Sequence, residues 1–215
     1  MTTTKDSMLN YTKDEWNKLN YFISVVERLK DYRIKSMVDL GSCYGEVCNI
    51  LIKKIPTLEK IIAIEAMKIN YDFLLENLKS NTVDITYVNR AVYYGKNFVE
   101  IGTTHSNLGG FGVVTESSIY NKENVHENIK TITLEDIIGD NVIDFLKMDI
   151  EGAEKNVIPN STSLANIKFL ELEMHDALAL PENHLPLLEK YLPDHKILLT
   201  SYRGDGGNNI FLEKL

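Results

Sequence analysis

Ser36-Met-Val-Asp-Leu-Gly-Ser-Cys-Tyr-Gly45 is the stretch on which the fold turns. Its first five residues alternate as a short strand. The glycines then break the chain ahead of a helix with Val47, Leu51 and Ile55 at i, i+4 and i+8. Pro56 ends that helix. Working outward, Lys60–Glu65 is an apolar, β-branched strand, Ile69, Phe73, Leu74 and Leu78 mark a second helix, and Ile85–Asn89 is a third strand. Strand–helix–strand–helix–strand is the pattern of a parallel α/β sheet. Upstream, Trp16, Leu19, Ile23, Val26 and Leu29 recur every three or four residues, and Thr12 and Glu15 have capping-box spacing. A helix with that stripe covers a sheet.

Downstream the alternation resumes. Phe98–Gly102 reads as an extra strand, and residues 103–128, polar and glycine-rich, read as a lid-like loop. Val142–Asp149 and Ile167–Met174 are the fourth and fifth main strands. Glu151–Val157 reads as a short helix stopped near Pro159, and Glu182–Tyr191 as a further helix. Lys196–Tyr202 and Asn208–Glu213 form an antiparallel hairpin around Gly204-Asp-Gly-Gly207. The expectation is one α/β domain over 1–215, an open doubly wound sheet with an N-terminal helical cover over 1–33 and an insertion over 103–128. Such sheets bind ligands where the strand order reverses, here at the carboxyl ends of the first and fourth strands.

Composition narrows the functions. The 215 residues carry 23 basic and 31 acidic side chains, a net charge of −8. That balance argues against a broad nucleic-acid or anionic-membrane surface, which needs basic residues. No apolar run is long enough to span a bilayer, and the N-terminal residues lack a signal core, so a cytoplasmic protein is expected. The oligomeric state is left open. Cys43 and Cys48 are too few for a disulfide scaffold and are read as reduced, mostly buried thiols.

The loop at 41–45 is neither G-x-G-x-x-G nor a P-loop, and a cationic ligand fits it better than a dinucleotide. Gly41 lets the backbone turn and a ligand approach, and Gly45 permits close packing at the helix start. Asp39 would repel a pyrophosphate but receive an ammonium. Glu65, at the end of the second strand, can accept both hydroxyls of a ribose. Together these residues suit S-adenosylmethionine, although a plain strand–turn–helix with a capping acid would use the same types.

The second informative stretch is Lys147-Met-Asp-Ile-Glu-Gly-Ala-Glu154. Strand alternation places Phe145, Lys147 and Asp149 on one face, and Glu171, Glu173 and His175 on the matching face of the next strand. Three roles are open. Lys147 can form a structural ion pair with Glu171. Asp149, Glu173 and His175 can position and deprotonate a hydroxyl. The same three can hold a divalent cation such as Mg2+. His175 is the best base by its ordinary pKa of about 6.5, and a structural histidine at a strand end is its bland alternative.

Taken together, Asp39-Leu-Gly41…Gly45, Thr131-Ile-Thr-Leu-Glu-Asp136, Lys147–Glu154 and Leu170-Glu-Leu-Glu-Met-His175 resemble the FkbM family of S-adenosylmethionine-dependent methyltransferases. Cys43 and Ala66 depart from the residues common at those places. The resemblance implies a class I methyltransferase fold, Rossmann-like, with a seven-stranded sheet in the order 3-2-1-4-5-7-6 and strand 7 antiparallel. It implies O-methylation of a sugar, a glycan or a related small molecule, by direct transfer. The cofactor set is then Asp39, Gly41, Ser42, Gly45, Glu65, Ala66, Asn89, Ala91 and Asp149, with Asn89 and Ala91 at the adenine. His175, Asp149 and Glu151 are the catalytic candidates. Asn107, Lys147 and Glu173 are candidate substrate contacts, with the 107–112 loop closing over the acceptor. The competing readings are a methyltransferase-like module that binds a partner, or an enzyme for another small acceptor.

Overall fold

A computed structural model describes residues 13–103, 111–114, 125–175, 178, 180–202 and 207–215. In chain order the elements are α1 (Lys13–Leu29), β1 (Ser36–Leu40), α2 (Glu46–Lys54), β2 (Lys60–Ile64), α3 (Lys68–Leu78) and β3 (Asp84–Val88). There follow β4 (Ala91–Val92), β5 (Phe98–Thr103), β6 (Phe111–Val113), β7 (Val125–Ile132), α4 (Leu134–Ile138) and β8 (Ile143–Met148). The chain finishes with α5 (Glu154–Asn160), β9 (Ile167–Met174), α6 (Pro181–Tyr191), β10 (His195–Tyr202) and β11 (Asn208–Lys214).

Seven strands form the main sheet in the order β10-β11-β9-β8-β1-β2-β3. β9, β8, β1, β2 and β3 pair in parallel, while β11 runs antiparallel to both β9 and β10. Counting only these strands, the order is 3-2-1-4-5-7-6 with the seventh reversed, as expected from the resemblance.

Period-two alternation divides the buried residues between two cores. Val38, Leu40, Leu146, Met148, Leu170 and Leu172 pack under α5 and α6. Met37, Phe145, Phe169 and Phe211 face α1, α2 and α3 on the other side, where Phe169 and Phe211 stack at 5.8 Å. On that second face the apolar layer gives way, one step toward the carboxyl ends, to a polar layer of Asp39, Lys147, Glu171 and Asn209. The register sets Lys147 between Asp39 and Glu171, and Asn209 opposite Glu173.

The structure differs from the sequence reading in four places. The buried face of α1 runs through Tyr21, Phe22, Val25, Val26 and Leu29, so Ile23 points outward at 47% exposure; Thr12 lies outside the described residues. In α3 the buried stripe is Asn70, Leu74 and Leu78, leaving Ile69 and Phe73 exposed, the latter edge-on to Tyr44. α5 starts at Glu154 because Glu151 (φ 52°) and Gly152 (φ 92°) are left-handed, and it continues past Pro159 to Asn160.

The fourth difference is the stretch expected to be a loop, which contains β6 and the first half of β7. With β4 and β5 they form a small sheet in the order β4-β7-β5-β6. One face of this sheet carries an apolar cluster built on Ala91, Val99, Ile101, Val113 and Ile129. Among the described residues no helix is long and apolar enough to cross a membrane.

Candidate active site

The site is built where the loops after β1, β2 and β8 meet. Gly41 and Ser42 donate their N–H groups to Ile64 O at 3.0 and 2.9 Å, and Asp149 N donates to Leu40 O at 3.0 Å. Gly41 (φ 81°) is forced by that crossing: a Cβ there would lie 1.8 Å from the carbonyl oxygen of Asp149. The close neighbour at Gly41 is therefore the chain itself. Gly45 (φ 82°) starts α2, and a Cβ there would meet Leu74 at 2.8 Å, the tight helix packing expected of it.

Glu65 holds two loops at once. Its Oε2 accepts from Cys43 N at 2.9 Å and its Oε1 from Met67 N at 2.8 Å. Burial raises its pKa, and the two N–H groups oppose that rise. Cys43 sits in a left-handed conformation (φ 48°) with its thiol pushed up to about 12 by burial and by Glu65, so it is no nucleophile. Asn89 donates its amide to the carbonyls of Glu65 (2.9 Å) and Ala66 (2.8 Å).

A cavity of about 290 Å³ opens above these loops. Gly41, Ser42, Glu65, Ala66, Arg90 and Ala91 form one side, and Asp149, Glu151 and Lys147 another. The small sheet supplies a third wall through Ile101, Phe111, Gly112 and Val113.

At the acidic end, Lys147 Nζ donates to Asp149 Oδ2 at 3.2 Å and lies 3.9 Å from Asp39 Oδ1. Burial works against the lysine's charge, but Asp149 and Asp39 outweigh it and raise its pKa. Glu171, beside Lys147 in register, instead takes a hydrogen bond from Asn209 at 3.1 Å, and burial raises its pKa to about 7. Tyr21 of α1 covers this layer; burial, then Glu171 and Glu173, raise its pKa. His175 closes the site. Its Nδ1 lies 3.1 Å from Glu154, and its Nε2 lies 3.5, 3.6 and 3.7 Å from Glu173, Glu151 and Asp149. Burial disfavours the imidazolium, yet Glu154 and Glu173 carry its pKa well above the usual value.

The predicted residues thus fall into two layers. Gly41, Ser42, Glu65, Ala66, Ala91, Lys147, Asp149 and Glu151 line the cavity, and His175 touches its acidic rim. Asp39, expected to meet an ammonium, is wholly buried beneath it and accepts from the Cys48 thiol at 3.2 Å. Asn89, expected at the adenine, faces the loop carbonyls instead. Glu173 is buried behind His175, held by Asn209 at 3.4 Å. The Lys147–Glu171 ion pair does not form, because Asp149 and Asp39 take the ammonium. Asn107 lies outside the described residues. Arg90, Phe111 and Glu154 were not singled out. Arg90 follows a strand end, Phe111 lay in the supposed loop, and Glu154 acts only after a turn that local sequence does not announce.

A cation site is the remaining expectation. Asp149, Glu151 and His175 offer ligand atoms within 4.8 Å of one another, with Glu151 rather than Glu173 as the third member. Octahedral Mg2+ draws neighbouring ligand atoms to about 3 Å of each other. The Nε2 approaches of 3.5 to 3.7 Å are wider than that. These residues do not fit magnesium in this arrangement.

Comparison with solved structures places the fold. A methyltransferase FkbM from Methylobacillus flagellatus superposes with a TM-score of 0.58 at 21% identity, over 84% of this chain and 44% of the other. The precorrin-6y C5,15-methyltransferase of Geobacter metallireducens matches with a TM-score of 0.53 at 14% identity, over 99% and 93%. The human methyltransferase 10 domain containing protein gives 0.53 at 12%, over 92% and 81%. The chain therefore spans less than half of the FkbM structure's length, and the likenesses show the fold. No curated protein matches the sequence. The methyltransferase FkbM domain itself matches residues 39–195, most of the chain, and the protein belongs to that family of S-adenosylmethionine-dependent methyltransferases.

Proposed function

We propose that this protein transfers a methyl group from S-adenosylmethionine to a hydroxyl of a sugar, a glycan or a related small molecule. One observation carries the reading: His175 Nε2 stands 3.6 Å from Glu151 and 3.7 Å from Asp149, the two carboxylates that line the cavity.

The residues fit the cofactor. Glu65 accepts from the N–H groups of Cys43 and Met67 and from the side chain of Asn70, and a carboxylate with about four lone-pair sites keeps acceptor capacity for a ribose hydroxyl. Ala66 and Ala91 offer a small apolar flank for a flat ring. Asp149 and Glu151 give the far end a negative potential suited to a cation. When bound, S-adenosylmethionine supplies an electrophilic methyl group on a positively charged sulfur.

The protein's own work is alignment and proton removal. Asp149, fixed by Lys147 and by the β1 backbone, orients the acceptor hydroxyl. His175, once neutral, takes the proton at Nε2. The small sheet, through Phe111 and Val113, covers the acceptor side and excludes water. The acidic rim disfavours a phosphodiester acceptor, which supports a small polyol over a nucleic acid.

Isothermal titration with S-adenosylmethionine is the first test, followed by a methyl-donor assay across sugar and glycan acceptors with RNA as comparator. Binding and polyol methylation are expected, with His175→Ala slowing transfer by about 10²–10⁴-fold while cofactor affinity holds. Absence of binding would favour a partner-binding module, and methylation of RNA alone would overturn the acceptor class.

A further inference from the structure

Glu154 is completely buried, and its carboxylate meets two backbone N–H donors and one ring nitrogen of His175. Its Oε1 accepts from Ile150 N at 3.0 Å and lies 3.1 Å from His175 Nδ1, and its Oε2 accepts from Gly152 N at 2.9 Å. A glutamine here would turn its NH2 against one of these N–H groups, so only an acceptor-only carboxylate satisfies the set. The other ring nitrogen, Nε2, has no approach shorter than 3.5 Å among the described residues.

We propose that Glu154 is the positioning residue of the site: it holds the proton of neutral His175 on Nδ1 and leaves Nε2 as the basic atom facing the acceptor. The proposal rests on the reading of His175 as proton acceptor. The same carboxylate binds the two backbone N–H groups that flank Glu151. Glu151 is left-handed at φ 52°, a conformation costly outside glycine, and Glu154 fixes the turn that imposes it. One buried side chain therefore sets both the ring and the loop carrying Asp149 and Glu151. The charged groups facing the ring are Asp149, Glu151 and Glu154 from the β8–α5 segment and Glu173 from β9.

Long-range 1H–15N spectra of the ring nitrogens test this on the whole chain without any acceptor. The His175 signals are assigned by their loss in His175→Gln. At a pH above the His175 titration midpoint, the expected wild-type result is a neutral ring protonated on Nδ1. Glu154→Gln is expected to lower the His175 titration midpoint by about one pH unit or more and to mix the tautomers, leaving His195 unchanged. A neutral wild-type ring protonated on Nε2, or an unchanged spectrum and midpoint in Glu154→Gln, overturns the proposal. The wild-type tautomer decides alone if the variant does not fold. Full methyl transfer by His175→Gln, with the tautomer as expected, would instead defeat the reading of His175 as the base.

Discussion

At the scale of single residues, burial and charge oppose each other most sharply at His175. The ring is largely removed from water, which should favour its neutral form, but Glu154 and Glu173 prevail and its pKa rises. The consequence for stability has a definite sign. A pKa above the unfolded value of about 6.5 gives a contribution that is complete below that pH and is lost as pH rises through the folded value. The stability gap between wild type and His175→Gln should therefore be larger at pH 6 than at pH 9 by about 1 kcal/mol or more, read from urea unfolding. An equal gap at both pH values would show that the charge contributes nothing. Sequence made the residue types of the site legible, since alternation put Lys147 and Asp149 on one face and Glu171, Glu173 and His175 on another. It did not show their pairing. The register sets Lys147 beside both Asp39 and Glu171, yet its ammonium turns to Asp149 and Asp39 while Asn209 of β11 holds Glu171, a choice that strand alternation does not contain.

At the scale of elements, the turns carry the site. β1, β2 and β8 are ordinary buried strands, and their patterns were readable because parallel strands covered on both faces are near-continuously apolar. β7 was not, because Val-His-Glu-Asn-Ile-Lys-Thr-Ile belongs to a sheet with an apolar cluster on one face and has few hydrophobic residues. The junction of α2 with α3 shows how little room the turns have. Gly45→Ala adds a left-handed alanine, costing about 1–2 kcal/mol. It also adds a methyl 2.8 Å from Leu74, and overpacking of that kind costs about 1–3 kcal/mol. A total loss of about 2–5 kcal/mol is expected, seen as a lower urea midpoint with an unchanged slope; a loss below about 0.5 kcal/mol would contradict this packing.

At the scale of the whole molecule, six of the 31 acidic side chains gather at one edge of the main sheet. Glu65, Asp149 and Glu151 face the cavity, while Asp39, Glu171 and Glu173 lie beneath, partly balanced by Lys147. A ligand that joins the three loops and neutralises that edge should stabilise the entire fold. At about 100 times its dissociation constant, S-adenosylmethionine is expected to add about 2.7 kcal/mol. For a domain of this size that is a rise in Tm of about 5–11 °C, measurable by thermal melting. NAD should give no such rise, since the loop lacks a pyrophosphate cradle; an equal shift with NAD would refute the assignment of the pocket.

β11 has a consequence of another kind. It pairs on both sides, with β9 and with β10, although it follows both in the chain. On the ribosome, β10 emerges with no neighbour to bond, and β9 keeps an open edge until β11 arrives. Order of synthesis and order of pairing cross at this point. The terminal hairpin must join the sheet as one piece, and the nascent chain carries Glu171 and Glu173 without Asn209 until it does.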